Sequence, residues 1–259
     1  LLHGNVARVF GRFEASTTFF LVMEFCDGRI FWDAALPGIA AAEGRAIYDE
    51  TNRVLAQLHA VDFEAVGLGD FGPRSNYYER QYRRWKGQYE ASETHAITPM
   101  NELIDWLGAN RPPDDGRVSL VHGDYRIDNL VFHPDRPEIV AVLDWELSTL
   151  GHPLADLAYT CMLLRMPANA KPVGGLAGLD LAALGIPDER AFVARYVERT
   201  GIDPGDDWPF YLAFSIFRLA AIVQGVVKRA ADGNASNRHA ARLDGMVESL
   251  SRMALGIVS

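Results

Sequence analysis

Cysteine is nearly absent: the 259 residues hold two, Cys26 and Cys161, far apart in the chain. Two such thiols build neither a disulfide framework nor a zinc ligand set, so a reducing, cytoplasmic setting is expected. The seven histidines are scattered, with no HxH or HExxH spacing. His122-x-Asp124 and His133 hint at a metallohydrolase, but the further ligands such a centre needs are missing. No apolar run is clean enough for a membrane span. The longest, 210–227, is interrupted by Ser215, Arg218 and Gln224. A charge near its middle predicts a buried helix instead. Cations are in deficit, 25 Lys and Arg against 34 Asp and Glu, a net charge of −9. Such a surface repels nucleic-acid phosphates on average, and neither a nucleic-acid nor a membrane partner is expected. Internal repeats and low-complexity tracts are also lacking.

What remains is the balance of a soluble globular protein, with 49% apolar and 23% charged residues. The length exceeds one average domain yet fits a single two-lobed protein with a sizeable core. No signal-peptide pattern opens the sequence. It starts at Leu1 as if inside a domain, and further strands upstream are expected.

The segments 6–13 and 18–25 are rich in β-branched and aromatic residues and flank a polar turn, which predicts two antiparallel strands. From Ala41 to Val61 the period becomes helical, with Ile47, Val54, Leu55, Leu58 and Val61 on one face. A glycine-rich loop, 67–73, precedes helices expected over 77–90 and 100–109. Arg111-Pro112-Pro113-Asp114-Asp115-Gly116 is turn chemistry. Short strands are expected at 118–121, 129–132 and 139–143, then helices at 153–166, 188–200, 208–231 and 236–255.

The small strand-and-loop insert carries the chemistry. One apolar strand delivers His122 and Asp124 to its end, Asn129 follows five residues later, and a second apolar strand ends at Asp144. Strand ends lying side by side would bring Asp124, Asn129 and Asp144 into one cleft. Such a trio suits phosphoryl transfer, which needs positioning and neutralisation of spread negative charge more than covalent help. A carboxylate and an amide carbonyl can hold Mg²⁺ with triphosphate oxygens completing its shell. Asp124 would then orient the attacking hydroxyl and accept its proton, while Asn129 and Asp144 hold metal.

His122-Gly123-Asp124 with Asn129 resembles the H-G-D-x-x-x-x-N catalytic loop of the aminoglycoside phosphotransferase and choline kinase superfamily. It is similar in spacing to the H-R-D-x-x-x-x-N loop of protein kinases. Leu143-Asp144-Trp145-Glu146 resembles the segment bearing that superfamily's metal-binding Asp, and Gly151-His152-Pro153-Leu154-Ala155-Asp156-Leu157-Ala158 its G-x-P-x-x-D-L-A segment. The resemblance implies an α+β, protein-kinase-like two-lobed fold. Residues 1–27 would be the remnant of an incomplete N-lobe sheet with its hinge, and 28–259 a mainly helical C-lobe. It implies ATP with two Mg²⁺ as cofactors and a hydroxylated small molecule as substrate. His122 and Asp156 would brace the catalytic loop. The backbone of Glu24 and Phe25, in a stretch similar to the hinge strand, would meet the adenine edge. Leu-Asp-Trp-Glu with Thr149-Leu150-Gly151 looks closest to bacterial phosphotransferase-like proteins and to the kinase-like domains fused to certain acyl-CoA dehydrogenases.

The pattern departs in one place. The superfamily's N-lobe Lys and phosphate loop have no counterpart here, since no Lys precedes Lys86. Either upstream strands supply them, or the chain is a catalytically silent kinase-like module that binds nucleotide or a partner. Arg126, two residues after Asp124, stands where protein kinases carry a Lys facing the γ-phosphate and would supply part of that charge.

Other residues have plainer readings. His59, at a helix end, reads as a dipole partner. Glu24 is expected exposed, using only its backbone. Tyr77, Tyr78, Tyr82, Trp85 and Tyr89 read as packing between helices before they read as a cleft lining. Arg218 in its apolar helix needs either a local carboxylate or an anionic substrate.

Overall fold

The computed structural model describes residues 9–15, 18–169, 174–232 and 243–259. Along the chain run β1 (Val9–Ala15), β2 (Thr18–Met23), β3 (Arg29–Ile30), α1 (Ala41–His59), α2 (Tyr77–Ser92), α3 (Thr98–Ala109) and β4 (Ser119–Val121). There follow β5 (Leu130–Phe132), β6 (Ile139–Val142), β7 (Thr149–Gly151), α4 (Leu154–Arg165), α5 (Leu181–Leu184), α6 (Glu189–Thr200), α7 (Trp208–Ala231) and α8 (Asp244–Val258). The chain folds as two compact units, one of Leu1–Gly69, Leu120–Thr149 and Leu163–Ile202, the other of Asp70–Ser119, Leu150–Met162 and Asp203–Ser259.

In the first unit β1 and β2 form an antiparallel hairpin with Ala15 opposite Thr18 and a register shift between Val9 and Gly11. The expected strand start at 6–8 lies outside the described residues. A second antiparallel sheet has the order β3-β5-β6, with Ile30 opposite Val131 and Val131 opposite Ala141. The two-residue strand β3 escapes the sequence pattern because two residues cannot display an alternation. Its approach to β5 depends on Gly28, where a Cβ would stand 2.3 Å from the Phe132 carbonyl oxygen. Central β5 is buried along its whole length, as expected of a strand covered on both faces.

Helix α1 buries Ile47, Val54, Leu55 and Leu58, the stripe the 3.6-residue period predicts. Each such side chain contributes about 1.5–3 kcal/mol by leaving water. The helix ends at His59, two residues before the expected limit. There Asp62 Oδ1 accepts the backbone N–H groups of Glu64 and Ala65 and starts a new turn. His59 is more than a dipole partner, because its Nδ1 lies 2.6 Å from Tyr196 Oη on α6. Glu50 ties α1 to the sheet by accepting the Ile139 N–H at 3.0 Å.

The second unit is helical. α7 packs on α2, α3 and α8, and α3 on α8. Leu103, Leu107, Ile216, Phe217 and Val247 are fully buried among them. α7 is long and apolar enough to cross a membrane, but most of its residues are buried inside the protein. Tyr77, Tyr78, Trp85 and Tyr89 are buried as well and Tyr82 is half-buried, so four of the five expected aromatics of α2 are core. Tyr77 and Tyr78 also line a cavity of about 720 Å³. Of the helix expected at 236–255, residues 236–242 lie outside the described residues; α8 runs from Asp244 to Val258.

Candidate active site

The first unit gathers the loop after β4 and the loop after β6. His122 is fully buried at the end of β4. Its Nδ1 accepts the Asp124 N–H at 3.2 Å, which leaves the ring proton on Nε2, donated to the Leu143 carbonyl at 2.8 Å. Between them Gly123 adopts φ +85°, and a Cβ there would stand 2.6 Å from the Leu147 carbonyl oxygen. Only glycine fits this crossing of the two loops.

Asn129 closes a single 3-10 turn, Ile127–Asn129, just before β5. Its Nδ2 donates to the Asp124 backbone oxygen at 2.8 Å and to Asp124 Oδ2 at 3.1 Å. Its backbone oxygen accepts the Leu143 N–H at 2.9 Å. Leu143, the residue before Asp144, is thus held by Asn129 on one side and His122 on the other. Asp144 itself is exposed and left-handed, φ 64° and ψ 56°. For a residue with a Cβ this conformation costs on the order of 1 kcal/mol, and Asp is among those that tolerate it best.

Arg126 spans two carboxylates. Its Nε lies 3.2 Å from Asp124 Oδ1, an ion pair without hydrogen-bond geometry, and its Nη2 lies 3.1 Å from Asp128 Oδ2. Burial pushes the Asp128 carboxyl above the usual carboxylate range. Arg126 opposes the shift, while Asp124 and Asp144 add to it. Asp128 therefore feels both acids, and three carboxylates, Asn129 and Arg126 share one patch.

Of the residues expected here, Asp124, Arg126, Asn129 and His122 are in direct contact, and Asp144 joins them through Leu143 and through its charge. Glu24 and Phe25 follow the end of β2 and are exposed, the Phe25 ring to 88%. Asp156 is fully buried in the first turn of α4, in the second unit. Three participants escaped the sequence. Asp128 could have been found as the acid beside Asn129. The Trp145 ring lies 4.7 Å from the His122 ring, and its Nε1 donates to the Val142 carbonyl at 2.9 Å. Tyr125, buried, anchors the loop to α1 by donating to the Thr51 carbonyl at 2.9 Å.

The patch has oxygen donors suited to Mg²⁺. Asn129 uses its amide N–H on Asp124, which leaves its side-chain carbonyl oxygen available as a hard ligand, and the exposed Asp144 carboxylate offers a second kind of oxygen donor. Among the described residues no three His, Cys, Asp or Glu side chains gather around a common metal position. Such a donor set fits a cation that brings phosphate oxygens with it better than one caged by protein alone.

Comparison with known proteins identifies the family. Residues 2–209 match the phosphotransferase enzyme family. Acyl-CoA dehydrogenase family member 10 of Mus musculus is 45% identical over 235 residues, 91% of this chain, but the chain spans only 22% of that protein's length. A crystal structure from Ralstonia eutropha JMP134, provisionally named an aminoglycoside phosphotransferase, is 48% identical. It superposes with a TM-score of 0.90 over 98% of this chain and 78% of its own. The aminoglycoside phosphotransferase APH(4)-Ia, solved with AMP-PNP and hygromycin B, shares the fold at 16% identity, with a TM-score of 0.61 over 97% of this chain and 78% of its own. The α+β architecture is accordingly protein-kinase-like, and the chain belongs to the phosphotransferase enzyme family.

Proposed function

We propose that this protein transfers the γ-phosphate of ATP to a hydroxyl group of a small molecule, with Asp124 as the base. The observation that carries the reading is the grip of Asn129. One residue orients the Asp124 carboxylate with its side chain and, with its backbone, fixes the residue before Asp144.

In the proposed reaction the acceptor hydroxyl oxygen bonds to the γ-phosphorus as the bond to the ADP oxygen breaks. Asp124 takes the hydroxyl proton. Asn129 holds Oδ2, so Oδ1 is the atom for that proton, once Arg126 turns from it towards the phosphate. Asn129 Oδ1 and the Asp144 carboxylate would hold Mg²⁺, which supplies charge neutralisation to the triphosphate when bound. His122 keeps the two loops together, and Asp156 is assigned a supporting role through the family pattern. The exposed backbone at Glu24 and Phe25 is assigned to the adenine edge on the same ground.

The test is ADP release by the full-length protein, supplied with Mg²⁺, ATP and a panel of hydroxylated metabolites. Asp124→Ala should keep the melting temperature and lower turnover by about 10²–10⁴. Full activity in the folded variant would remove Asp124 from its role.

A further inference from the structure

Helix α7 carries three buried polar side chains, and two of them have ordinary partners. Ser215 Oγ donates to the Tyr211 carbonyl at 3.0 Å. Gln224 Nε2 donates to the Ser92 carbonyl at 2.9 Å and lies 3.2 Å from Thr94 Oγ1. Arg218 differs. It is 7% exposed, its Nε has no hydrogen-bond partner, and among the described residues no carboxylate forms an ion pair with it. Its guanidinium rests instead against two aromatic faces, 5.3 Å from the Trp85 ring centre and 5.0 Å from that of Tyr159.

A guanidinium does not shed its proton in a protein, so this group stays charged however it is buried. The two rings return part of the lost hydration through cation–π attraction, and they fix the group in place. They accept none of its directional N–H bonds. Burial pushes the neighbouring Tyr77 hydroxyl up to about 12; Asp156 adds to the shift, and Arg218, Arg80 and Arg84 oppose it.

A fixed, charged fork without a carboxylate is the arrangement that recognises an anion by paired N–H···O bonds. We infer that Arg218 is a binding residue for the carboxylate or phosphate group of a small ligand. The inference stands on the second unit alone and is independent of the roles proposed for Asp124 and Asn129. It sets this ligand apart from a purely cationic one, which the same arginine would repel.

The test titrates the full-length protein with 3-hydroxybutyrate, glycerol 3-phosphate and choline, followed by calorimetry and by the emission of Trp85 against a Trp85→Phe control. At least one of the two anions should bind, and choline should leave the Trp85 signal unchanged. Arg218→Met should weaken the anion about 10- to 100-fold, the worth of a hydrogen bond to a charged group. Which anion it loses tells carboxylate from phosphate. Without ligand, Arg218→Met should melt at or above the wild-type temperature, since it removes a buried charge that lacks a counter-ion. Arg218→Lys should keep the fold and bind more weakly, lacking the fork. Failure of both anions to bind, unchanged affinity in Arg218→Met, or a melting temperature clearly below wild type in that variant overturns the assignment.

Discussion

The Nε2 of His122 and the backbone carbonyl oxygen of Leu143 lie 2.8 Å apart, and this hydrogen bond joins the loop bearing Asp124 to the loop bearing Asp144, beside the bond from the Leu143 N–H to Asn129. The imidazole does so from a fully buried position, with the Trp145 ring against it. A buried acceptor that loses its donor costs about 1–3 kcal/mol. His122→Ala is therefore expected to lower unfolding free energy by about that much. It should also lower turnover about 10- to 100-fold by letting the two loops drift. Denaturant melts and steady-state rates check both. Wild-type kinetics in this variant would mean that the bond does not hold the site.

Arg126 lies between Asp124 and Asp128, and the sequence reading gave it to the phosphate. Both uses are compatible if Asp128 holds the guanidinium close while Asp124 releases it. Arg126→Ala and Asp128→Ala should then act on kcat/KM for ATP as one unit. A double-mutant cycle should show a coupling of about 1 kcal/mol, within the range for residues in direct contact. Strict additivity would separate Asp128 from the function of Arg126.

The burial of His152 predicts a pH dependence for the second unit. Burial pushes its pKa below the ordinary histidine value; the Asp115 carboxylate, 3.3 Å from Nε2, and Asp114 oppose this, and Arg117 adds to it. The folded state thus binds the proton less readily than the unfolded chain, whose histidine titrates near about 6.5. Stability is complete above that value and falls as pH drops through the lower, folded pKa. Thermal melts from neutral to mildly acidic pH should show the decline, and His152→Gln should flatten it. The same slope in both proteins would assign the effect elsewhere.

The repeating elements were legible because burial imposes a period on them. α1 and α7 announce themselves through apolar spacing, and α7 was delimited at both ends, Trp208 and Ala231. β3, of two residues, is too short to carry a period, and its existence depends on the β5 edge beside it. The α1 end was misjudged because Val61 extends the apolar stripe, while Asp62 starts a competing turn.

For the site, the sequence by itself determined which oxygen-bearing side chains stand at which spacing, because phosphoryl transfer restricts both the residue types and the loop that presents them. The phosphotransferase family matches over residues 2–209, a span that includes all of these side chains. Tertiary structure decided the rest. The pairing of Arg126 with Asp128, the hold of His122 on Leu143 and, among the described residues, the unpartnered Nε of Arg218 all depend on side-chain direction and on how segments of the chain meet. Periodicity reports which face is buried. It carries no information on which polar atoms meet there.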